Sequence, residues 1–209
     1  MIRKKTDTHT TPSTWLTLLM FPLSALLIAY APNSWGFENG PIENAQLILL
    51  MLGILFCLTA KEHKQLYLFA ATVILFLLFR EINCGRVLLW SRSGNIFHCG
   101  PPQDYLKWKE IPHGPAIRLG IYAFLSGICL LALCRARTFK HILPLLARST
   151  YPIWELLLFL IGLIAAILME KLNISFLAEE MGETLMYAAL TSAIYRFTRG
   201  KQHPNPIKN

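Results

Sequence analysis

Apolar residues fall in long runs along this chain, not in the short alternations of strands or the broken stripes of soluble amphipathic helices. A bilayer's hydrocarbon core takes about 20 mostly apolar helical residues, with a range of roughly 17 to 25. Six runs reach that length: Trp15–Ala31, Ile42–Ala60, Leu66–Ile82, Ala116–Cys134, Pro152–Met169 and Phe176–Phe197. The pattern predicts an all-α, polytopic membrane bundle of six transmembrane helices. Residues 1–14 and 198–209 form tails, 15–197 the transmembrane domain, and 83–115 its one long loop. Gly40-Pro41 reads as a turn into the second helix with Pro at the first helical position. Gly85 reads as the residue just past the end of the third.

Composition agrees. Of 209 residues, 54% are hydrophobic and only 15% charged, where a soluble domain carries about 25% charged residues. The mean hydropathy is +0.44. A single soluble core is excluded. The net charge of +8 does not point to nucleic acid, because Lys and Arg are scattered between the apolar runs. Membrane lipids are the expected surroundings.

The same charges set the orientation. Arg3, Lys4 and Lys5 precede the first span, and Lys61 and Lys64 separate the second and third. Arg135, Arg137, Lys140 and Arg148 separate the fourth and fifth, and Arg196, Arg199, Lys201 and Lys208 lie at or beyond the end of the sixth. All four regions fall on one side, so the positive-inside rule places both termini in the cytoplasm. The loop at 83–115 stands against this with Arg86, Arg92, Lys107 and Lys109. The basic start and Ala29–Ala31 imitate a signal peptide, but Pro32 is a poor context for cleavage, and the first span is read as retained. Residues 135–150 fit either a helix lying on the cytoplasmic surface or an ordinary basic loop.

One stretch breaks the apolar pattern. "AEEMGETLMYAAL" opens the sixth span with Glu179, Glu180 and Glu183, and Tyr187 extends their stripe by a turn. Acids in a first turn meet the positive end of the helix macrodipole, which accounts for Glu179 and Glu180. Glu183 lies roughly 12 Å inside Ser175 at about 1.5 Å per residue. An ionised carboxylate there costs on the order of 3 kcal/mol, so it needs a partner, a proton or a water-filled cavity. Other helix ends on the same side supply candidates: Glu43, Asn44 and Gln46 opening the second span, Arg80 and Glu81 closing the third, and Arg118 opening the fourth. Arg80 with Glu43, and Arg118 with Glu183, are the pairs considered.

Further chemistry is sparse. Cys84 and Cys99 share the outer loop, where an oxidising compartment would allow a disulfide. No C-x-x-C is present. His98 and His113 in that loop are candidate metal ligands above the acids, although no H-E-x-x-H, nucleotide or nucleophile-elbow motif accompanies them. No cofactor is indicated.

"ENGPIENAQ", "FREINCGR" and "AEEMGETL" together resemble a pattern in uncharacterised bacterial multi-pass inner-membrane proteins. These have an acid-x-Gly-x-x-Glu start, an Arg-Glu helix end and a Glu-Glu-x-x-Glu last helix. Glu38, Gly40 and Glu43 fit the first element, Arg80 and Glu81 the second, and Glu179, Glu180 and Glu183 the third. The resemblance implies a bacterial inner membrane with the long loop in the periplasm, and no known activity. Three readings follow. The acids bind or transport a cation, a proton or a small cationic solute, with a homodimer completing any path. Alternatively, a membrane-embedded hydrolase or transferase acts on lipid head groups, with Glu183, Glu180 or Glu81 as catalytic acid or base. The third reading is a non-catalytic subunit whose polar cluster only fixes packing.

Overall fold

The computed structural model describes residues 12–61, 63–94, 98–135, 152–172 and 175–199. The described residues form seven α-helices: α1 Pro12–Tyr30, α2 Pro41–Leu58, α3 Lys64–Glu81, α4 Arg86–Leu89, α5 Gly114–Arg135, α6 Ile153–Leu172 and α7 Phe176–Arg199. A helix occupies each of the six expected runs. Four of them, α1, α2, α5 and α6, are long and apolar enough to cross a membrane, and five qualify if the bent pair formed by α3 and residues Asn83–Leu89 counts as one span. The expected surface segment at 135–150 lies, beyond Arg135, outside the described residues.

α7 is the exception to the apolar rule because of where it sits. It packs against α6, α2 and α1, and nearly every residue from Leu177 to Ala189 is buried. A helix wrapped by other helices need not be apolar, so its acids, hydroxyls and Arg196 are tolerated. The outer helices show the opposite pattern. Leu16 is 67% exposed, Leu119 71% and Leu131 72%. Apolar surface of this extent is compatible with an integral membrane protein and not with a water-facing bundle.

Small residues bring α6 and α7 together. A Cβ built on Gly162 would lie 2.7 Å from the Gly182 carbonyl and 2.7 Å from the Met186 nitrogen. One on Gly182 would lie 2.7 Å from the Ala166 nitrogen. The backbones therefore meet with no side chain between them, the way helices associate where lipid removes the hydrophobic driving force. At the end of the bundle where α1 begins, Glu155 ties three helices. Thr14 Oγ1 donates to its Oε1 at 2.5 Å, Ser192 Oγ at 3.3 Å, and Arg196 Nη1 reaches Oε2 at 3.3 Å. Glu155 stands in the first turn of α6 and Arg196 in the last turn of α7, so each charge also meets the favourable end of its helix dipole.

The opposite end carries the long loop. Gly40 caps α2 and Pro41 is its first residue, as the sequence indicates. α3 ends differently from expectation. Its left-handed turn begins at Asn83 and Cys84 (φ 48° and 55°), with Gly85 (φ 84°) following them. The chain bends by 54° there and enters the short α4.

Gly162→Ala is expected to lower stability by about 1–3 kcal/mol, since the new methyl meets backbone that cannot yield. At roughly 2–4 °C per kcal/mol for a chain of this size, a detergent thermal melt resolves the drop. Gly127→Ala, whose Cβ would meet nothing within 4 Å, should melt no lower than the wild type.

Candidate functional site

The loop end gathers side chains from α2, α3 and α7. Glu180, Glu183, Thr184 and Tyr187 recur at three- and four-residue steps along α7, which puts them on one side of the helix. Arg80 and Glu81 close α3. Arg80 suits a helix C-terminus, whereas Glu81 meets the dipole's negative end and needs donors. It has them: the Tyr187 hydroxyl donates to Glu81 Oε1 at 2.5 Å, and Arg80 Nη1 lies 3.5 Å from the same oxygen. Arg80 Nη2 donates to Glu183 Oε1 at 2.7 Å, and its Nη1 reaches the Tyr187 hydroxyl at 3.3 Å. One guanidinium and one phenol thus join two acids from two helices.

α2 contributes Gln46, which is fully buried. Its Nε2 donates to the Glu180 side chain (Oε2, 2.7 Å) and to the Glu180 main-chain carbonyl (2.9 Å). Thr184 Oγ1 donates to that same carbonyl at 2.7 Å. Glu43, three residues before Gln46, is buried and accepts the Asn39 backbone N–H.

The outcome is an electrostatic imbalance. A carboxylate oxygen from each of Glu81, Glu180 and Glu183 lies within 4.8 Å of the other two. At an effective dielectric of about 20, two ionised carboxylates that close repel by roughly 3 kcal/mol. Among the described residues Arg80 is the one cation within ion-pair distance of any of the three acids, and it reaches two of them, Glu81 and Glu183. Its side chain is 49% exposed, against 7% for Glu81 and 11% for Glu183. The acids are held inside while their counter-ion reaches outward.

The loop is folded beside this cluster. Arg86 pairs with Glu38 (Nη2 to Oε1, 2.9 Å) and donates to the Leu106 carbonyl at 3.2 Å. Tyr105 is fully buried, its hydroxyl within 2.5 Å of the His98 carbonyl and 3.1 Å of the Glu38 carbonyl. Burial pushes that hydroxyl up to about 12, so it stays a donor at neutral pH. Burial also raises the Glu38 carboxyl, against the pull of Arg86. Arg92 pairs with Glu110 at 2.8 Å. Two of the four loop cations that counted against the expected orientation are therefore paired with acids, Arg86 with Glu38 before α2 and Arg92 with Glu110 in the loop itself.

The expected site residues divide cleanly. Gln46, Arg80, Glu81, Glu180, Glu183 and Tyr187 come together, with Glu43 beside them. Asn44 instead closes the turn before α2, donating to the carbonyls of Asn39 (3.0 Å) and Gly40 (2.9 Å). Glu179 stays outside the group of three, in the first turn of α7. Arg118 lies over the ring of Tyr122 on the peripheral α5 and not at Glu183, and Arg80 pairs with Glu183 and not with Glu43. His98 is held by Asp104 at 2.9 Å, and His113 sits in the left-handed turn leading to α5, so neither joins the acids as a metal ligand. Cys84 and Cys99 are free thiols. Cys84 is buried in the turn after α3, while Cys99 is exposed beside the Ser34 carbonyl, and the expected disulfide is not formed. Tyr105 is core, a role that its place in the loop does not announce. Thr184 was missed, although its place four residues after Glu180 marked it. Comparison with known proteins finds no matching family model, no similar curated protein and no similar solved structure.

Tyr187→Phe removes only the hydroxyl that holds Glu81, and should lower stability by about 1–3 kcal/mol. In a Glu81→Leu background, where the hydroxyl has lost its acceptor, most of that cost should vanish. A thermal-melt double-mutant cycle reads the coupling, and additive effects would show that the contact is not made.

Proposed function

We propose that the chain is a six-span integral membrane protein of a bacterial inner membrane, with both termini cytoplasmic. Its loop-end cluster takes up a cationic species from the periplasmic side: a proton, a metal cation or a small cationic solute. One observation carries this reading. Three mutually close carboxylates are matched by one guanidinium, which contacts two of them, Glu81 and Glu183. Surplus negative charge in a largely buried site has to be met by protons or by a cation from outside. The half-exposed Arg80 marks the side from which such a species would enter. Movement beyond binding is supported by α7 itself, whose polar side chains resume after the apolar Ala188–Leu190 at Thr191 and Ser192 and reach the Glu155–Arg196 pair at its other end.

The test is a thermal-shift panel on the detergent-purified full chain, across pH and with monovalent cations, divalent cations and organic amines. A ligand present at about 100 times its Kd adds roughly 2.7 kcal/mol, a rise of several degrees. At least one condition should raise the wild-type midpoint and leave Glu183→Gln unmoved. A wild type indifferent to pH and to every cation would leave the cluster as helix packing and overturn the reading.

A further inference from the structure

The carboxamide of Gln46 narrows the ligand to one class. Gln46 Nε2 faces the Glu180 main-chain carbonyl, which can only accept. That contact fixes which end of the amide is nitrogen. Gln46 Oε1 is then buried without a hydrogen-bond partner, the one such atom among the described side chains. A buried amide oxygen left unmatched costs on the order of 1–3 kcal/mol. It belongs to a carboxamide that already touches Glu180 and asks for a donor or a cation.

The carboxylates of the cluster that this amide joins through Glu180 are set in a particular way. Each has one oxygen engaged by a donor from elsewhere: Arg80 on Glu183 Oε1, Tyr187 on Glu81 Oε1, and Gln46 Nε2 on Glu180 Oε2. Among the described residues, the second oxygen of each accepts no hydrogen bond. Acids oriented through one oxygen and open at the other are how proteins prepare carboxylates for a metal ion. Three carboxylates less one guanidinium leave two negative charges, which one divalent cation neutralises. All available donors are oxygens, the choice of hard ions over thiolate- or imidazole-seeking ones. Size favours the larger hard ions. Oxygens up to 4.8 Å apart need to close in by less than about 1 Å to share an ion whose bonds are about 2.3–2.6 Å long, as for Ca²⁺, and by more than about 1 Å for Mg²⁺ at about 2.0–2.1 Å.

Resting on the cation-binding reading above, we propose that Glu81, Glu180 and Glu183, with Gln46 Oε1 as fourth ligand, form a site for a hard divalent cation of the size of Ca²⁺ or Mn²⁺. Arg80 and Tyr187 position two of the carboxylates. The acids from α3 and α7 and the amide from α2 close on one ion, which would lock the three helices together at the loop end.

The experiment uses the full-length protein, purified in detergent, stripped with a chelator and titrated with Mn²⁺ under electron paramagnetic resonance. The folded wild type should bind one Mn²⁺ per chain, and Ca²⁺ should displace it more readily than Mg²⁺. Glu180→Gln should weaken binding at least about tenfold, and Gln46→Leu, which keeps the volume and removes the amide, by several-fold. Glu110→Gln, in the distant loop pair, should leave it unchanged. Should a variant fail to fold, infrared spectra of the wild type alone must still show carboxylate stretches shifting on Ca²⁺ addition. The proposal is overturned if folded wild type binds no Mn²⁺ at about 1 mM, the weak end of protein calcium sites. It is equally overturned if Gln46→Leu and Glu180→Gln bind as the wild type does. Absence of Mn²⁺ binding with stabilisation by protons, monovalent ions or amines intact removes the divalent assignment and keeps the cation-binding reading. Absence of every response removes both.

Discussion

Everything in this bundle depends on the fact that a charged helix cannot face lipid. α7 carries Glu179, Glu180, Glu183 and Arg196, and an unpaired charge at membrane depth is expensive even on the most lenient scale. The chain meets the constraint by surrounding α7. α6, α2 and α1 supply the apolar surface that shows outward, and their inward faces supply the groups that α7 needs. The positions of Gln46 on α2, of Glu155 on α6 and of Thr14 on α1 follow from this one requirement. So does the closeness of α6 and α7, because glycines at 162 and 182 let the backbones meet where packing is the main attraction available.

A helix so enclosed can hold polar groups at both ends of the bundle. Between them lies roughly one turn of mostly apolar sequence, Ala188 to Leu190, with Thr191 Oγ1 donating to the Leu49 carbonyl beyond it. The helix that is least apolar in composition is the one that organises the others. In a soluble protein the reverse holds, since the most apolar segment forms the centre.

The helices were legible because a run of about 20 apolar residues has few other uses. The convergence of Arg80, Glu81, Glu180, Glu183 and Tyr187 was legible too, since helix periodicity and a common membrane side bring them near each other. Which residue pairs with which was not. Arg80 reaches across from α3 to α7, and Arg118 stays with Tyr122 on α5, because helix neighbours are set by packing that one sequence does not reveal. The folding of the loop at 83–115 was not legible for a different reason. Its Trp and Tyr residues look like interface anchors in sequence, yet Tyr105 and Arg86 are buried through contacts with Glu38, Asn39 and the His98 carbonyl, nearly 50 residues or more away in the chain or across an irregular turn. Such contacts leave no periodic trace.

The molecule contains its own standard for judging the acid cluster. At the far end of α7, Glu155 meets one arginine and two hydroxyls, the charges balance one to one, and both carboxylate oxygens have donors. This is what a polar group kept for packing looks like, because an imbalance would only cost stability. At the loop end the same helix presents two acids to a third with one guanidinium between them, leaves carboxylate oxygens open, and buries an amide oxygen with nothing to accept. Packing alone would have been better served by a second arginine or by a glutamine at 183. The surplus is intelligible where a positive charge arrives from outside and completes the site.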